Sequence, residues 1–542
     1  MKRFLNLRIT VLLLAVSFLF MSCSKQSPLL NVVPKDSPLV LTINLNTIAE
    51  KGEMADFTKS ALFTTIKKTM GPADSKATKL LEDMLNDPSM TGVDFKEDFF
   101  MFMTKDGEFS CFAIALNDGS KFEGFIEKIK KEGGAPIETE KDGEFTMAKS
   151  GKAAIGWNNE KILIVAPLKH EKSPKDEFKR LAALSSENSI ASNDDFKDFY
   201  SKKKDVNFWM DFAIININPE AAQMYKMIGL DFTGSTAHVY GEFAQGEFLV
   251  TGKMNMKEEM QKKFGNIVKD GLNPVLLDML PKGKTLAAYG IAIKPAEYFK
   301  LISDLLKSNP MVNMADVDKQ LQAAIGYKLD DVLNYFGGDF VISFNGLKVE
   351  QKEVVDYDYM TNDTLRRMEN KITPILSLHA TVKDDKLFKT LVEKFGMGAL
   401  KARGSNYELD LLGTMVFMGV QKNVLVITNS EEIIDNADKG FGANSMASSE
   451  YAEMFKGSPA FFFANINYAS YPNEFKEALN TNPDVAMGLT MAMPYLEIYD
   501  AIIFESKKDN TFSGKIKLKD KNANFIKAIY DNLNKNIPKA IM

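Results

Sequence analysis

Apolar residues recur along the chain in two rhythms. Segments 39–45, 110–116, 153–157, 162–165 and 461–464 run or alternate apolar over short spans, which predicts buried or half-buried strands. Phe122, Phe125, Ile126 and Ile129, and later Phe388, Leu391, Val392 and Phe395, fall at i, i+3, i+4, i+7. Each set is the single apolar stripe of a helix packed on one face. Ser120 and Glu123 stand at capping-box spacing at the start of the first of these helices. Short polar turns, Asn158 with Asn159 and Gln245 with Gly246, separate apolar strands and predict antiparallel hairpins. Strands joined this way and interleaved with helices predict an α+β fold, mainly antiparallel sheet with packed helices.

The pattern is written twice. Segment 33–43 is echoed by 280–291, 92–99 by 327–333, and 110–116 with its helix by 377–383 with its helix. The hairpin 153–165 is echoed by 416–427. Phe196, Phe199 and Tyr200 match Tyr451, Met454 and Phe455, and Gly252 in a closing hairpin matches Gly514. The order is kept throughout, which predicts two homologous α+β halves, 31–270 and 271–542. The second half is longer, with an insertion at about 346–373. That insertion carries Asp356, Tyr357, Asp358, Tyr359, Asn362 and Asp363, and a long polar insertion between strands is expected to be a functional or a disordered loop.

The N-terminus changes the picture from fold to location. Lys2, Arg3 and Arg8 precede an apolar run at 9–21, the length of a signal-peptide core and too short to span a bilayer. Ser22 and Cys23 follow it. A small residue before a Cys at this place resembles a lipobox, although Leu19 sits one place early and Phe20 and Met21 are bulky. The expected processing removes residues 1–22, acylates Cys23, and leaves 23–30 as the lipidated Cys and tether. The three lost cations take the net charge from −5 to −8. The tether has no acidic run after the Cys, which points to the periplasmic face of an outer membrane rather than the cell surface. With Cys23 acylated, Cys111 is the one thiol left, so no internal disulfide is expected; its apolar strand context reads as a small buried hydrophobe.

The lipobox, the Pro34-Lys35-Asp36 opening before the strand at 40–45, and the doubled organisation together resemble a family of large uncharacterised Bacteroidota lipoproteins, a domain of unknown function. The resemblance implies a Gram-negative envelope lipoprotein and supplies no activity and no site residues. It also gives meaning to Asp363-Thr364-Leu365, similar to the O-glycosylation acceptor of that lineage, with Thr364 as the modified residue.

The remaining chemistry is sparse. An acidic total argues against nucleic acid, whose phosphates need a basic face. His170, His238 and His379 are scattered and form no metal or catalytic motif. No nucleophile elbow is present. Gly283-Lys284-Thr285 lacks the earlier glycine of a phosphate loop, because position 278 is Asp278, and it precedes a strand. Asp356, Asp358, Asn362 and Asp363 lack the glycine and terminal Glu of a calcium loop. The acid pairs at 194–195, 384–385 and 431–432 are placed for helix N-termini. No cofactor and no metal are expected. The leading expectation is a non-enzymatic envelope lipoprotein that binds or scaffolds a partner protein. The alternatives are a carrier or sensor for an apolar or glycan ligand in a cleft between halves, and a hydrolase assembled only in the fold.

Overall fold

The computed structural model describes residues 27–537, apart from 70–75, 134–136, 151, 170–171, 228–229, 307–313, 359–362, 397 and 481–482. The signal segment, Cys23, His170, Tyr359 and Asn362 therefore lie outside the described residues. The fold is α+β, built on antiparallel sheet with packed helices. Two compact units divide it. Among the described residues, one joins residues 27–44 to residues 87–202, and the other joins residues 45–86 to residues 203–537.

The first unit holds β1 (Leu39–Ile43), β2 (Phe99–Met103), β3 (Phe109–Ala115), β4 (Glu138–Asp142), β5 (Phe145–Ser150), β6 (Ala153–Trp157) and β7 (Lys161–Pro167). They pair antiparallel in the order β1-β2-β3-β7-β6-β5-β4. Strand alternation sorts β3: Phe109, Cys111 and Ala113 are buried, and Phe112 points out. The helix Gly119–Gly133 covers part of the other face, with Phe122 meeting Trp157 edge-on at 5.4 Å. Its cap is not the expected Ser120 and Glu123 pair. Asp118 accepts from the Lys121 N–H at 3.0 Å, so Ser120 is already inside the first turn. The chain entry is tied down by Lys35 N–H to the Asn188 carbonyl (2.8 Å) and Ile190 N–H to the Val33 carbonyl (2.7 Å). Asp194 and Asp195 do occupy the first turn of the helix Asp194–Ser201, whose cap Asn193 accepts from the Phe196 N–H at 3.1 Å. Asn193→Ala is expected to cost about 1 kcal/mol, read as a lower denaturation midpoint with unchanged slope.

The second unit holds β8 (Val206–Asp211), β9 (Thr236–Phe243), β10 (Glu247–Asn255), β11 (Ala287–Ala292), β12 (Phe336–Asp358), β13 (Asp363–Val382), β14 (Lys401–Arg403), β15 (Asn406–Leu411), β16 (Thr414–Gln421), β17 (Val424–Thr428), β18 (Ala460–Asn465), β19 (Tyr499–Ser506) and β20 (Thr511–Leu518). The order is β8-β9-β10-β20-β19-β18-β11-β12-β13-β17-β16-β15-β14, antiparallel at every step. One face buries Ala288, Val341, Val426, Phe461, Phe463 and Ile503 against Leu276, Ile433 and Phe455. Phe455 and Phe461 stack at 4.1 Å. Each of the larger side chains contributes about 1.5–3 kcal/mol through burial, and Ala288 less. The 3-10 turns Gly442–Asn444 and Met446–Ser448 are pinned to the segment that leads into β11, by Lys282 N–H to the Asn444 carbonyl (2.7 Å) and Met446 N–H to the Leu280 carbonyl (2.9 Å).

The insertion at 346–373 is not a loop. It is the outer length of β12 and β13, paired rung by rung from Leu347 opposite Pro374 to Asp358 opposite Asp363. A register shift between Phe344 and Leu347, with Gly346 at φ 115°, marks where this ribbon leaves the sheet.

Candidate functional site

The second unit leaves part of its other sheet face uncovered. Strand alternation puts Ile342, Tyr289, Phe462 and Phe504 on that face, and the registers set them side by side across β12, β11, β18 and β19. They are 56%, 47%, 38% and 42% exposed, a run of large apolar side chains open to solvent. Leu376, 48% exposed, extends the run on β13 opposite Phe344. At the other end Phe504 stacks on Phe512 at 5.6 Å. Both rings lie flat over neighbouring glycines: a Cβ on Gly514 would come within 2.9 Å of Phe504, and one on Gly252 within 2.2 Å of Phe512. From Ile342 to Phe504 the row spans roughly 15 Å at strand spacing, and aromatic side chains of this kind are enriched in interface cores. The helix Pro483–Leu496 is apolar along most of its length and exposes Met487 and Met491, at 63% and 69%.

The ribbon is the second candidate. Asp356 stands opposite Leu365, Tyr357 opposite Thr364, and Asp358 opposite Asp363, so the predicted residues that are described gather at its distal end. Thr364 is exposed. One face of the ribbon carries Val349 opposite Ile372, Glu353 opposite Met368, and Val355 opposite Arg366. Ile372, Met368 and Val355 are exposed there. On the other face Lys371 donates to the Gly413 carbonyl at 3.0 Å, which braces the root. A recess of 370 Å³ beside that brace is lined by Lys348, Glu350, Thr373, Met415 and Phe417.

Titratable groups give little support for catalysis. His379 Nε2 lies 2.9 Å from Ser377 Oγ, a His–Ser pair within reach. Both residues are almost fully buried among Ser343, Asn345 and Thr285, and Nδ1 has no hydrogen-bond partner, so no carboxylate orients the ring. His238 is buried, with Nε2 3.3 Å from Asn255 Nδ2. Among the described residues no group of His, Cys, Asp or Glu is placed to hold a metal ion, and no helix is long and apolar enough to cross a membrane. Burial pushes the Cys111 thiol up to about 12. With Cys23 replaced by alanine, iodoacetamide at pH 8 is therefore expected to leave Cys111 unlabelled until denaturant is added. Labelling of the native chain at the rate of a free thiol would contradict this placement.

The family described as Domain of unknown function (DUF4836) matches over residues 29–526. The chain belongs to that family. Among curated proteins none matches the DUF4836 chain. Among solved structures it is similar in part to crystal form I of TP0453, at 10% identity and a TM-score of 0.24, over 44% of this chain and 84% of that one. Crystal form III of TP0453 gives 8%, 0.24, 45% and 88%.

Proposed function

We propose that this DUF4836 protein is a lipid-anchored component of a Gram-negative envelope, at the periplasmic face of the outer membrane, that holds a partner protein and performs no catalysis. The observation that carries the partner-binding reading is the exposed row Ile342, Tyr289, Phe462 and Phe504. Large apolar side chains adjacent on one sheet face are costly to leave in water and are typical of a surface that another protein covers. The anchoring rests on the sequence order of basic residues, apolar run and Cys23. We further infer that the chain arose by duplication. In support, the pairings β1-β2-β3-β7-β6-β5-β4 are repeated by β11-β12-β13-β17-β16-β15-β14, and the meander β8-β9-β10 by β18-β19-β20. Thr364, exposed at the distal end of the ribbon, is the proposed glycosylation acceptor.

Two experiments test the reading. A photo-crosslinking phenylalanine analogue at Phe462, in cells, should trap one discrete envelope protein, and the same analogue at an exposed polar position should not. Adducts to lipid alone, or none, would count against partner binding. Cys23→Ala should release the protein from the membrane fraction; retention of that variant, with no acyl label on the wild type, would remove the anchor.

A further inference from the structure

We propose that the helix Pro483–Leu496 of the second unit is a lipid contact, seated in one side of the bilayer to which the chain is anchored. The inference rests on the anchoring reading and is independent of the partner reading. From Val485 to Leu496 the sequence holds no charged side chain, and the apolar residues fall on every side of the helix rather than along one stripe. A helix of that kind belongs inside a protein or inside a bilayer. Here none of its 14 residues is buried. Val485, Met487, Met491 and Leu496 are exposed, and Leu489, Ala492 and Met493 are half-buried against neighbouring helices. The fold thus rules out a core helix. Its rise of about 21 Å falls short of the roughly 30 Å of a hydrocarbon core, which is the range of segments that enter a bilayer without crossing it. A protein groove would cover one apolar face of a helix, whereas hydrocarbon can meet all the sides that this one leaves open.

The polar groups between those limits are satisfied within the chain, as a hydrocarbon setting requires. Thr490 Oγ1 donates to the Ala486 carbonyl at 2.8 Å, and Tyr495 Oη donates to the Asn536 carbonyl at 3.0 Å. The Pro494 carbonyl accepts from Asn532 Nδ2 at 3.0 Å and Asn536 Nδ2 at 2.9 Å, which ties this end to the helix Phe525–Asn536. Charge returns only at the two ends. Asp484 stands in the first turn, and Glu497 follows the last, 3.5 Å from the exposed Lys535. An uncharged middle between charged ends complements hydrocarbon bounded by headgroups, and a lysine at that border is favoured by lipid phosphate. The fold does not demand this composition. In the matching β8–β9 connection the helix Pro219–Met227 carries Glu220, Gln223 and Lys226. Few side chains make the contact, so it is weak alone and depends on the anchor to hold the body close. Cys23→Ala therefore still releases the chain.

The test uses the acylated full chain in vesicles of phosphatidylethanolamine and phosphatidylglycerol. Met491→Cys takes an environment-sensitive dye, since Cys23 is acylated and Cys111 is buried. Lys401→Cys, exposed on β14, is the control. The dye at position 491 should shift to the blue, be quenched by spin-labelled acyl chains, and be about fivefold less open to iodide than the dye at position 401. Val485→Glu with Met487→Glu, both at exposed positions, should return the dye at 491 to water and leave the urea midpoint unchanged, because carboxylates are costly in hydrocarbon. A chain that does not float with the vesicles overturns the anchor and this contact with it. A chain that floats overturns the contact alone if its dye at 491 is open to iodide, if that dye is shielded yet unquenched by lipid, as in a protein–protein contact, or if the double variant leaves it quenched by lipid.

Discussion

Asp339→Ala is expected to destabilise the second unit by about 3–5 kcal/mol, the cost of emptying one side of a buried ion pair. The Asp339 side chain is 2% exposed. Its carboxylate accepts from Lys269 Nζ at 2.5 Å, Thr381 Oγ1 at 2.9 Å and the Asn273 N–H at 3.0 Å. Lys269 donates in addition to the Gly337 carbonyl at 3.1 Å. One carboxylate therefore ties the 269–273 segment to β12 and β13 where the long hairpin begins. Alanine removes all three acceptor contacts and leaves the Asn273 N–H and Thr381 hydroxyl without their partner. Asp339→Asn keeps one acceptor oxygen of the same shape and should cost about half as much. Lys269→Met should be nearly as harmful as Asp339→Ala, because it leaves the anion buried. Urea titration gives the sizes, and hydrogen exchange should show the loss concentrated in β11, β12 and β13. A change below about 1 kcal/mol for Asp339→Ala would refute the assignment.

The same device recurs. Asp205, also in the second unit, accepts from Lys51 Nζ at 2.6 Å and the Phe243 N–H at 2.7 Å. Asp98, in the first unit, accepts from Tyr200 Oη at 2.8 Å and Asn44 Nδ2 at 2.9 Å. Nothing in the sequence marks these among the 72 acids, because their partners stand dozens to more than a hundred residues away. What is legible in the sequence is local: alternation in β3 and acid pairs at helix starts. The stripe read on the helix Lys386–Phe395 holds only in part, since Phe388 and Val392 pack inward with Leu387 while Leu391 and Phe395 are exposed. The ribbon escapes because both its faces carry polar residues. Lys348, Glu350 and Lys352 alternate with Val349, Gln351 and Glu353, and such a pattern lacks the apolar face by which a strand is recognised. The apolar row escapes for a different reason. Period-two alternation tells that Phe461 and Phe462 face opposite sides, but only the fold tells that one side stays uncovered. Compactness and repetition also divide the chain differently. The units exchange chain at 44–45, 86–87 and 202–203, and a reading that follows sequence order places no boundary there.

His379 should make the second unit lose stability in mild acid. Its ring is wholly buried, and burial pushes its pKa down to about 4 from an ordinary 6.5. Desolvation opposes the charged form, and the one ring contact, Nε2 with Ser377 Oγ, is a neutral hydrogen bond that does not offset it. Above pH 6.5 the ring is neutral whether the chain is folded or unfolded, so it adds no pH dependence there. Between 6.5 and 4 the unfolded chain binds a proton that the folded chain excludes, and the folded state is disfavoured step by step as pH falls. The full loss is about 3 kcal/mol, reached near the folded pKa. His379→Gln removes the titration while keeping an amide able to bond Ser377. The difference in unfolding free energy between wild type and variant should therefore be constant above pH 6.5 and should shrink or invert by about 3 kcal/mol on going to pH 4. Parallel curves across that range would mean the ring titrates normally, and hence that water reaches a site the fold closes off.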